Sequence, residues 1–317
     1  MTSFSFSRRI TPTLAFLAFT AALSSCAHDH AAMAPASAAP SSPVAIVAPA
    51  PARIPDSDKP YNKINVPNRS LDADLYMQTS AEYRALCYQT YDAATKRVKD
   101  LMSNRPSDAK APAVILDLDE TVLDNSAFQS FQELEQLGYD GRLWQEWERH
   151  PEATRLVPGA KEFLDTATQL GVTLMYVSNR VNVETATQAL THNGLSIDST
   201  HQLYLKNPKD SKPSNKDERR AAILEKYDVL ILVGDNLTDF SSDFTAPNVK
   251  TSDEATTAIN ARAAKVDTNR ARFGTDWFVL PNCVYGDWQR LVQDDPRAQI
   301  RSVDTMSYPK PTPTAAP

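Results

Sequence analysis

Apolar residues recur along this chain in two alternating rhythms. Between 71 and 102 they return at helical spacing (Leu75, Tyr83, Cys87, Tyr91, Ala94, Val98, Leu101), which predicts one long helix or two consecutive helices packed on a core. Short apolar runs predict strands at 113–118, 173–177, 202–205, 229–233 and 277–280. Helical stretches lie between them: 159–170 opens after Val157-Pro158 and stops at Gly171, 183–192 stops near Asn193-Gly194, and 216–227 links two strands. Such alternation predicts an α/β fold, a parallel sheet covered by helices on both faces with right-handed crossovers. Ligands of open parallel sheets bind at the carboxyl ends of the strands, so the chemistry is expected there.

The ends of the chain follow neither rhythm. Arg8 and Arg9 precede a short apolar run over 14–23 and then small residues, the pattern of an export signal over 1–25 and too short for a comfortable membrane span. Leu23-Ser24-Ser25-Cys26 resembles a bacterial lipobox, which makes Cys26 the lipidated first residue of the mature protein. The alternative is an ordinary cleaved signal. Ala27 after the cysteine resembles the pattern of lipoproteins sent to an outer membrane, so an outer-membrane or cell-surface lipoprotein is expected. Residues 26–68 are rich in Ala, Pro and Ser and predict a disordered tether, with His28 and His30 as solvated residues. The proline-rich 307–317 predicts a disordered tail, leaving 69–306 as the folded domain.

The 317 residues, 42% hydrophobic and 23% charged, suffice for one large core or two modest ones. A formal charge of -6, falling to -8 once Arg8 and Arg9 are removed with the signal, excludes a general binder of nucleic acid polymers. Cys87 and Cys283 read equally well as a disulfide or as two separate thiols, and neither has metal-ligand spacing.

Four motifs fall after the predicted strands and at a helix start. Asp117 and Asp119 end the first apolar strand on one side by period-2 geometry, and two charges buried there demand a cation between them, most simply a hard divalent ion such as Mg2+. Ser178 and Asn179, after the second strand, offer a hydroxyl and backbone N–H groups for a phosphate oxygen, although Ser-Asn is also a common helix cap. Lys216 at a helix start can meet both a phosphate and a nucleophilic carboxylate, with Lys206, Lys209 and Lys212 as rivals. Asp235 and Asp239 follow Gly234 at the end of another strand. Two acidic pairs after two apolar strands favour a shared metal site over plain turn residues.

In the order Asp117-x-Asp119, Ser178, Lys216, Gly234-Asp235-x-x-x-Asp239 the chain resembles the haloacid dehalogenase superfamily. Asp117 through Asn125 (DLDETVLDN), Val157-Pro158-Gly159-Ala160, Tyr176 through Arg180 (YVSNR), Gly234 through Phe240 (GDNLTDF) and Leu280 through Trp288 (LPNCVYGDW) narrow the likeness to the class C acid phosphatases, a 5'-nucleotidase lipoprotein group. The likeness runs from roughly 71 to 294. The stretch 207–214 is longer than usual before the lysine and leaves Lys212 beside Lys216 as the motif lysine.

The resemblance implies a Rossmann-like sheet with a small helical cap. It implies that Asp117 is the nucleophile that becomes an aspartyl phosphate, and that Asp119 protonates the leaving alcohol and then activates water. It also implies Mg2+ on the Asp117 carboxylate, the Asp119 backbone carbonyl and the Asp235 carboxylate, with Asp239 binding through water or orienting Lys216. The cap is expected over about 125–157, where Phe128, Phe131, Leu134, Leu137, Leu143, Trp144 and Trp147 mostly pack one another. Trp144 and Tyr285 match family positions that sandwich an aromatic substrate, with Trp147 as the substitute one helical turn on.

Expected substrates are small phosphomonoesters, nucleoside monophosphates and aromatic phosphates among them. A homodimer is compatible with the resemblance. Two other readings compete: a different haloacid dehalogenase-type phosphatase or phosphotransferase, and a non-catalytic surface lipoprotein in which the acids hold a structural cation.

Overall fold

The structure, a computed structural model, describes residues 70–197, 202–207 and 215–292. The export signal, Cys26, the tether, the tail, Lys209 and Lys212 lie outside the described residues.

The predicted helical stretch is two helices, α1 (Leu71–Thr79) and α2 (Ala81–Ser103). The break is at Ser80, which is extended and whose side chain accepts the Tyr83 N–H as the cap of α2. Five strands follow: β1 (Pro112–Leu116), β4 (Thr173–Ser178), β5 (Leu203–Leu205), β6 (Asp228–Gly234) and β7 (Trp277–Val279). They form one parallel sheet in the order β5-β4-β1-β6-β7. The chain leaves central β1 first to one side and later to the other, so the crevice at the carboxyl end of β1 is the place where this topology accepts a ligand.

β1 is buried on both faces, and alternate residues serve different cores. Val114 and Leu116 pack with Tyr91, Val98, Phe163 and Leu190 from α2, α5 (Ala160–Gln169) and α6 (Val183–His192). Ala113 and Ile115 pack with Ile223 from α7 (Asp217–Lys226) on the other side. Gly159 precedes α5 at φ +86°, with Tyr88 and Tyr91 3.1–3.3 Å from where a Cβ would stand; both the left-handed backbone and the crowding require glycine.

The strand ends differ from expectation. β1 stops at Leu116 rather than 118, although the Asp117 N–H still donates to the Val233 carbonyl. Beyond it the Leu118 carbonyl accepts the N–H groups of both Val122 and Leu123, which curls the chain out of the sheet. Asp119 therefore stands in a turn, and period-2 geometry does not describe the pair. Helix α8 (Ser252–Thr268) has no apolar stripe and was not among the expected helices; Thr251, which accepts the Glu254 N–H, announces it as a cap.

The cap is framed by a short antiparallel stem, β2 (Leu123–Asp124) on β3 (Arg155–Leu156). Between them lie α3 (Ser126–Leu134) and α4 (Gly141–Trp147). Phe128, Leu137, Leu143, Trp147 and Ala153 form its own small core. Leu134 is an exception to the expected packing, at 78% exposed. Cys87 and Cys283 are both free thiols, Cys87 fully buried. Among the described residues no helix is long and apolar enough to cross a membrane.

Candidate active site

Four chain segments meet at the carboxyl edge of β1. Asp117 leaves the strand tip with its side chain beside Lys216, whose Nζ lies 2.6 Å from Asp117 Oδ1 and 2.7 Å from Asp239 Oδ1. Lys216 caps the start of α7, and the same helix face anchors two neighbouring loops. Arg219 donates to the Ser178 carbonyl at 2.5 Å and to Asn179 Oδ1 at 2.8 Å. Arg220 donates to the carbonyls of Thr238 and Asp239 at 3.0 and 2.8 Å. Positions 216, 219 and 220 share one helical face, so one short helix sets the spacing of three motifs.

After β6 the chain makes a short turn capped reciprocally by Asn236 and Asp239, the Asp239 Oδ2 accepting the Asn236 N–H at 2.9 Å. This folds Asp239 back over Gly234, where a Cβ would stand 2.5 Å from the Asp239 side chain. Asp235 accepts hydrogen bonds from Thr121 Oγ1 and Asn282 Nδ2, both at 2.9 Å. Asn282 Oδ1 in turn accepts the N–H groups of Val284 and Tyr285, fixing the loop that carries Tyr285.

The side chains of Asp117, Asp235 and Asp239 each bring a carboxylate oxygen within 4.8 Å of the others. Burial pushes Asp117 well above the usual carboxylate range; Lys216 opposes this, while Asp239, Asp235 and Asp119 reinforce it. Burial and then the neighbouring Asp239 push Asp235 up to about 7. Burial works to lower the Lys216 ammonium, but Asp117 and Asp239 outweigh it and hold it above its usual value.

One lysine does not neutralise three clustered acids, Asp239 buried and Asp117 and Asp235 partly so. Asp117 Oδ1 is buried and receives no aligned hydrogen bond, its contact with Lys216 being an ion pair only. A set of hard oxygen donors with uncompensated charge fits a divalent cation of the Mg2+ or Ca2+ type.

Asp119 departs from the expected arrangement, in which one cation lies between it and Asp117. Its carboxylate is held by Arg180, with Nη2–Oδ1 at 2.7 Å, and by Asn125 Nδ2 at 2.9 Å. Each acid thus has its own basic partner. The acids whose carboxylate oxygens gather into one cluster are Asp117, Asp235 and Asp239, without Asp119.

A cleft of about 530 Å³ opens over this edge. Asp117, Asp119, Asn179, Lys216, Asp235, Asp239, Trp144 and Tyr285 all line it. Ser178 does not: it is fully buried, and its Oγ accepts the Arg180 N–H at 3.1 Å. Trp147 is in the cap core, donating from Nε1 to Asn125 Oδ1 at 2.9 Å, so Trp144 is the tryptophan that faces the cleft. Lys206 pairs through its backbone N–H with the Ser178 and Arg180 carbonyls and is not part of the cleft lining.

Sequence reasoning gave no role to Arg180, Asn125, Thr121 and Asn282, all within the quoted motifs or beside them. Glu148, buried behind Arg180, carried no signal in its spacing. Burial pushes it up to about 7, against the opposing pull of Arg180.

A family model described as haloacid dehalogenase superfamily, subfamily IIIB (acid phosphatase), matches residues 62–288. Among solved structures the chain is similar to the class C acid phosphatase from Bacillus anthracis, with 28% identity and a TM-score of 0.64 over 74% of this chain and 98% of that one. The structure of the class C acid phosphatase from Bacillus anthracis with tungstate bound matches at 29% identity and a TM-score of 0.63 over the same shares. Phosphatases of this superfamily use a divalent metal, and the Asp117, Asp235 and Asp239 cluster is where this fold would hold it. The chain belongs to the haloacid dehalogenase superfamily, subfamily IIIB, the acid phosphatases, and is a phosphomonoesterase.

Proposed function

We propose that this protein is a Mg2+-dependent acid phosphatase that hydrolyses nucleoside monophosphates and aromatic phosphates through an aspartyl-phosphate intermediate. The observation that carries the reading is Lys216 Nζ bridging Asp117 and Asp239 inside a cleft whose outer walls carry Trp144 and Tyr285. The relative from Bacillus anthracis holds tungstate, a tetrahedral oxyanion, and this supports a phosphoryl site on the same fold.

In this reading an Asp117 oxygen attacks phosphorus and forms the O–P bond as the bond to the leaving alcohol breaks. The Asp119 carboxyl gives its proton to the departing oxygen. Asp119 then takes a proton from water as that water attacks phosphorus, and Asp117 leaves as a free carboxylate. Lys216 and the backbone N–H groups at Asn179 align the phosphoryl oxygens and stabilise their growing charge. Buried Ser178 shapes this turn from behind.

Mg2+ would be held by the Asp117 and Asp235 carboxylates and the Asp119 backbone carbonyl, where it supplies charge neutralisation for the transferring group. Asp239 has both oxygens committed, to Lys216 and to the Asn236 N–H, which favours its orienting Lys216 over direct ligation. A base or aryl ring would lie between Trp144 and Tyr285, a contact tolerant of base identity. The lipobox-like Leu23-Ser24-Ser25-Cys26 supports export and lipid anchoring at an outer membrane.

The test is phosphate release from AMP and p-nitrophenyl phosphate. Release lost with EDTA, restored by Mg2+ and absent in Asp117→Asn supports the reading. Metal binding without turnover supports the binding-lipoprotein alternative.

A further inference from the structure

In the wall of the cleft, Arg180 joins the Asp119 loop to the cap. Its side chain is 1% exposed. Nε and Nη2 donate to Asp119 Oδ1 at 3.0 and 2.7 Å, and Nε reaches Oδ2 at 3.2 Å. Nη1 stands 3.7 Å from Glu148 Oε1, and Cζ lies 5.3 Å from the centroid of the Trp144 ring. Asn125 completes the hold: Nδ2 donates to Asp119 Oδ1 at 2.9 Å, while Oδ1 accepts Trp147 Nε1.

The two oxygens of Asp119 are therefore unequal. Oδ1 accepts three hydrogen bonds, whereas Oδ2 accepts one, from Nε at 3.2 Å. Arg180 has Nε and Nη2 committed to one acid, while its buried Nη1 faces a second, Glu148, without a hydrogen bond.

We propose that Arg180 is a positioning residue: together with Asn125 it fixes the Asp119 carboxylate through Oδ1, leaving Oδ2 as the oxygen available to the leaving group, and it ties that orientation to Glu148 and the Trp144 ring in the cap. This rests on Asp119 being the group that protonates the leaving oxygen. The proton passes from Oδ2 to that oxygen as its bond to phosphorus breaks, and Arg180 itself gives up none. An arginine fork holds a carboxylate in one orientation, which the point charge of a lysine cannot do.

The leaving group separates this role from a merely structural one. Proton donation matters most for a basic leaving group such as the ribose oxygen of AMP and little for p-nitrophenolate. Arg180→Lys is expected to lower kcat/KM, which reports the step that releases the alcohol, by about 10²-fold on AMP and by less than about 10-fold on p-nitrophenyl phosphate. Equal losses on both substrates, or none, would overturn the proposal.

Asp119→Asn, measured alongside, separates the two layers. If its loss of kcat/KM is not selective for AMP, the reading of Asp119 as the acid falls; if that loss is selective and that of Arg180→Lys is not, only the positioning role falls. The double variant is expected to be no more selective than Asp119→Asn alone. Should Arg180→Lys not fold, Glu148→Gln keeps the question open to measurement: loosening the far end of Arg180 is expected to lower kcat/KM on AMP several-fold and leave that on p-nitrophenyl phosphate unchanged, and equal changes on both substrates would contradict the tie to the cap.

Discussion

Asp117 and Asp119 are two residues apart, yet the fold gives each its own base, Lys216 for one and Arg180 for the other. Removing the Asp117 charge relieves repulsion with Asp235 and Asp239 while deleting the attacking oxygen. Asp117→Asn is thus expected to bring p-nitrophenyl phosphate turnover to background and, with both proteins in EDTA, to have a Tm equal to or higher than the parent's, read by thermal unfolding. Gly234→Ala should do the reverse in kind. Its new Cβ would press on Asp239 at 2.5 Å, costing about 1–3 kcal/mol of stability and displacing the acid that holds Lys216. At this scale the motif acids and Lys216 were legible because few other roles suit carboxylates after apolar strands. Arg180 and Asn282 were not, since nothing in a linear pattern says that a side chain will turn back toward a neighbouring loop.

Among the elements, the cap is the separable one, entering and leaving the core through the two short strands β2 and β3. Trp144 sits at its cleft edge, so Trp144→Ala is expected to raise KM for nucleoside monophosphates well above its effect on small alkyl phosphates; parallel changes in both would remove the stacking role.

The seam between α1 and the cap helix α3 carries a titratable group of its own. Asp74 is buried with neither carboxylate oxygen hydrogen-bonded, and burial raises it from 3.8 to about 6. The folded chain therefore binds this proton more tightly than the unfolded chain. Its contribution is intact below about pH 4 and is lost as pH rises toward 6, by at most about 3 kcal/mol for a shift of this size. Asp74→Asn is expected to remove that decline, unfolding at higher temperature than the parent above pH 6 and showing no such gain below pH 4. The strands and α5 to α7 were legible from apolar runs and punctuation. Helix α8 was not, because it is built largely on alanine and polar residues and packs through only a few small side chains such as Ala255 and Ala258.

At the scale of the molecule, order β5-β4-β1-β6-β7 brings the ends of β1, β4 and β6 together, and α7 ties their loops with three basic residues in one and a half turns. The carboxylate cluster then makes a bound cation part of the folded state. EDTA is expected to lower the Tm as well as abolish activity, with both restored by Mg2+, because a ligand that binds only the folded chain stabilises it. The alternation of strand and helix sufficed to place this crevice in advance, whereas the split of the two acids between separate cations depends on a turn after Leu116 that the apolar pattern ran through. The most direct test of the account is to incubate the Asp119→Asn variant with p-nitrophenyl phosphate, quench in acid and locate the phosphoryl group by mass spectrometry. The account predicts it on Asp117 in the peptide spanning β1 and its turn; a phosphoryl group on another residue, or release of p-nitrophenolate with none trapped, would contradict it.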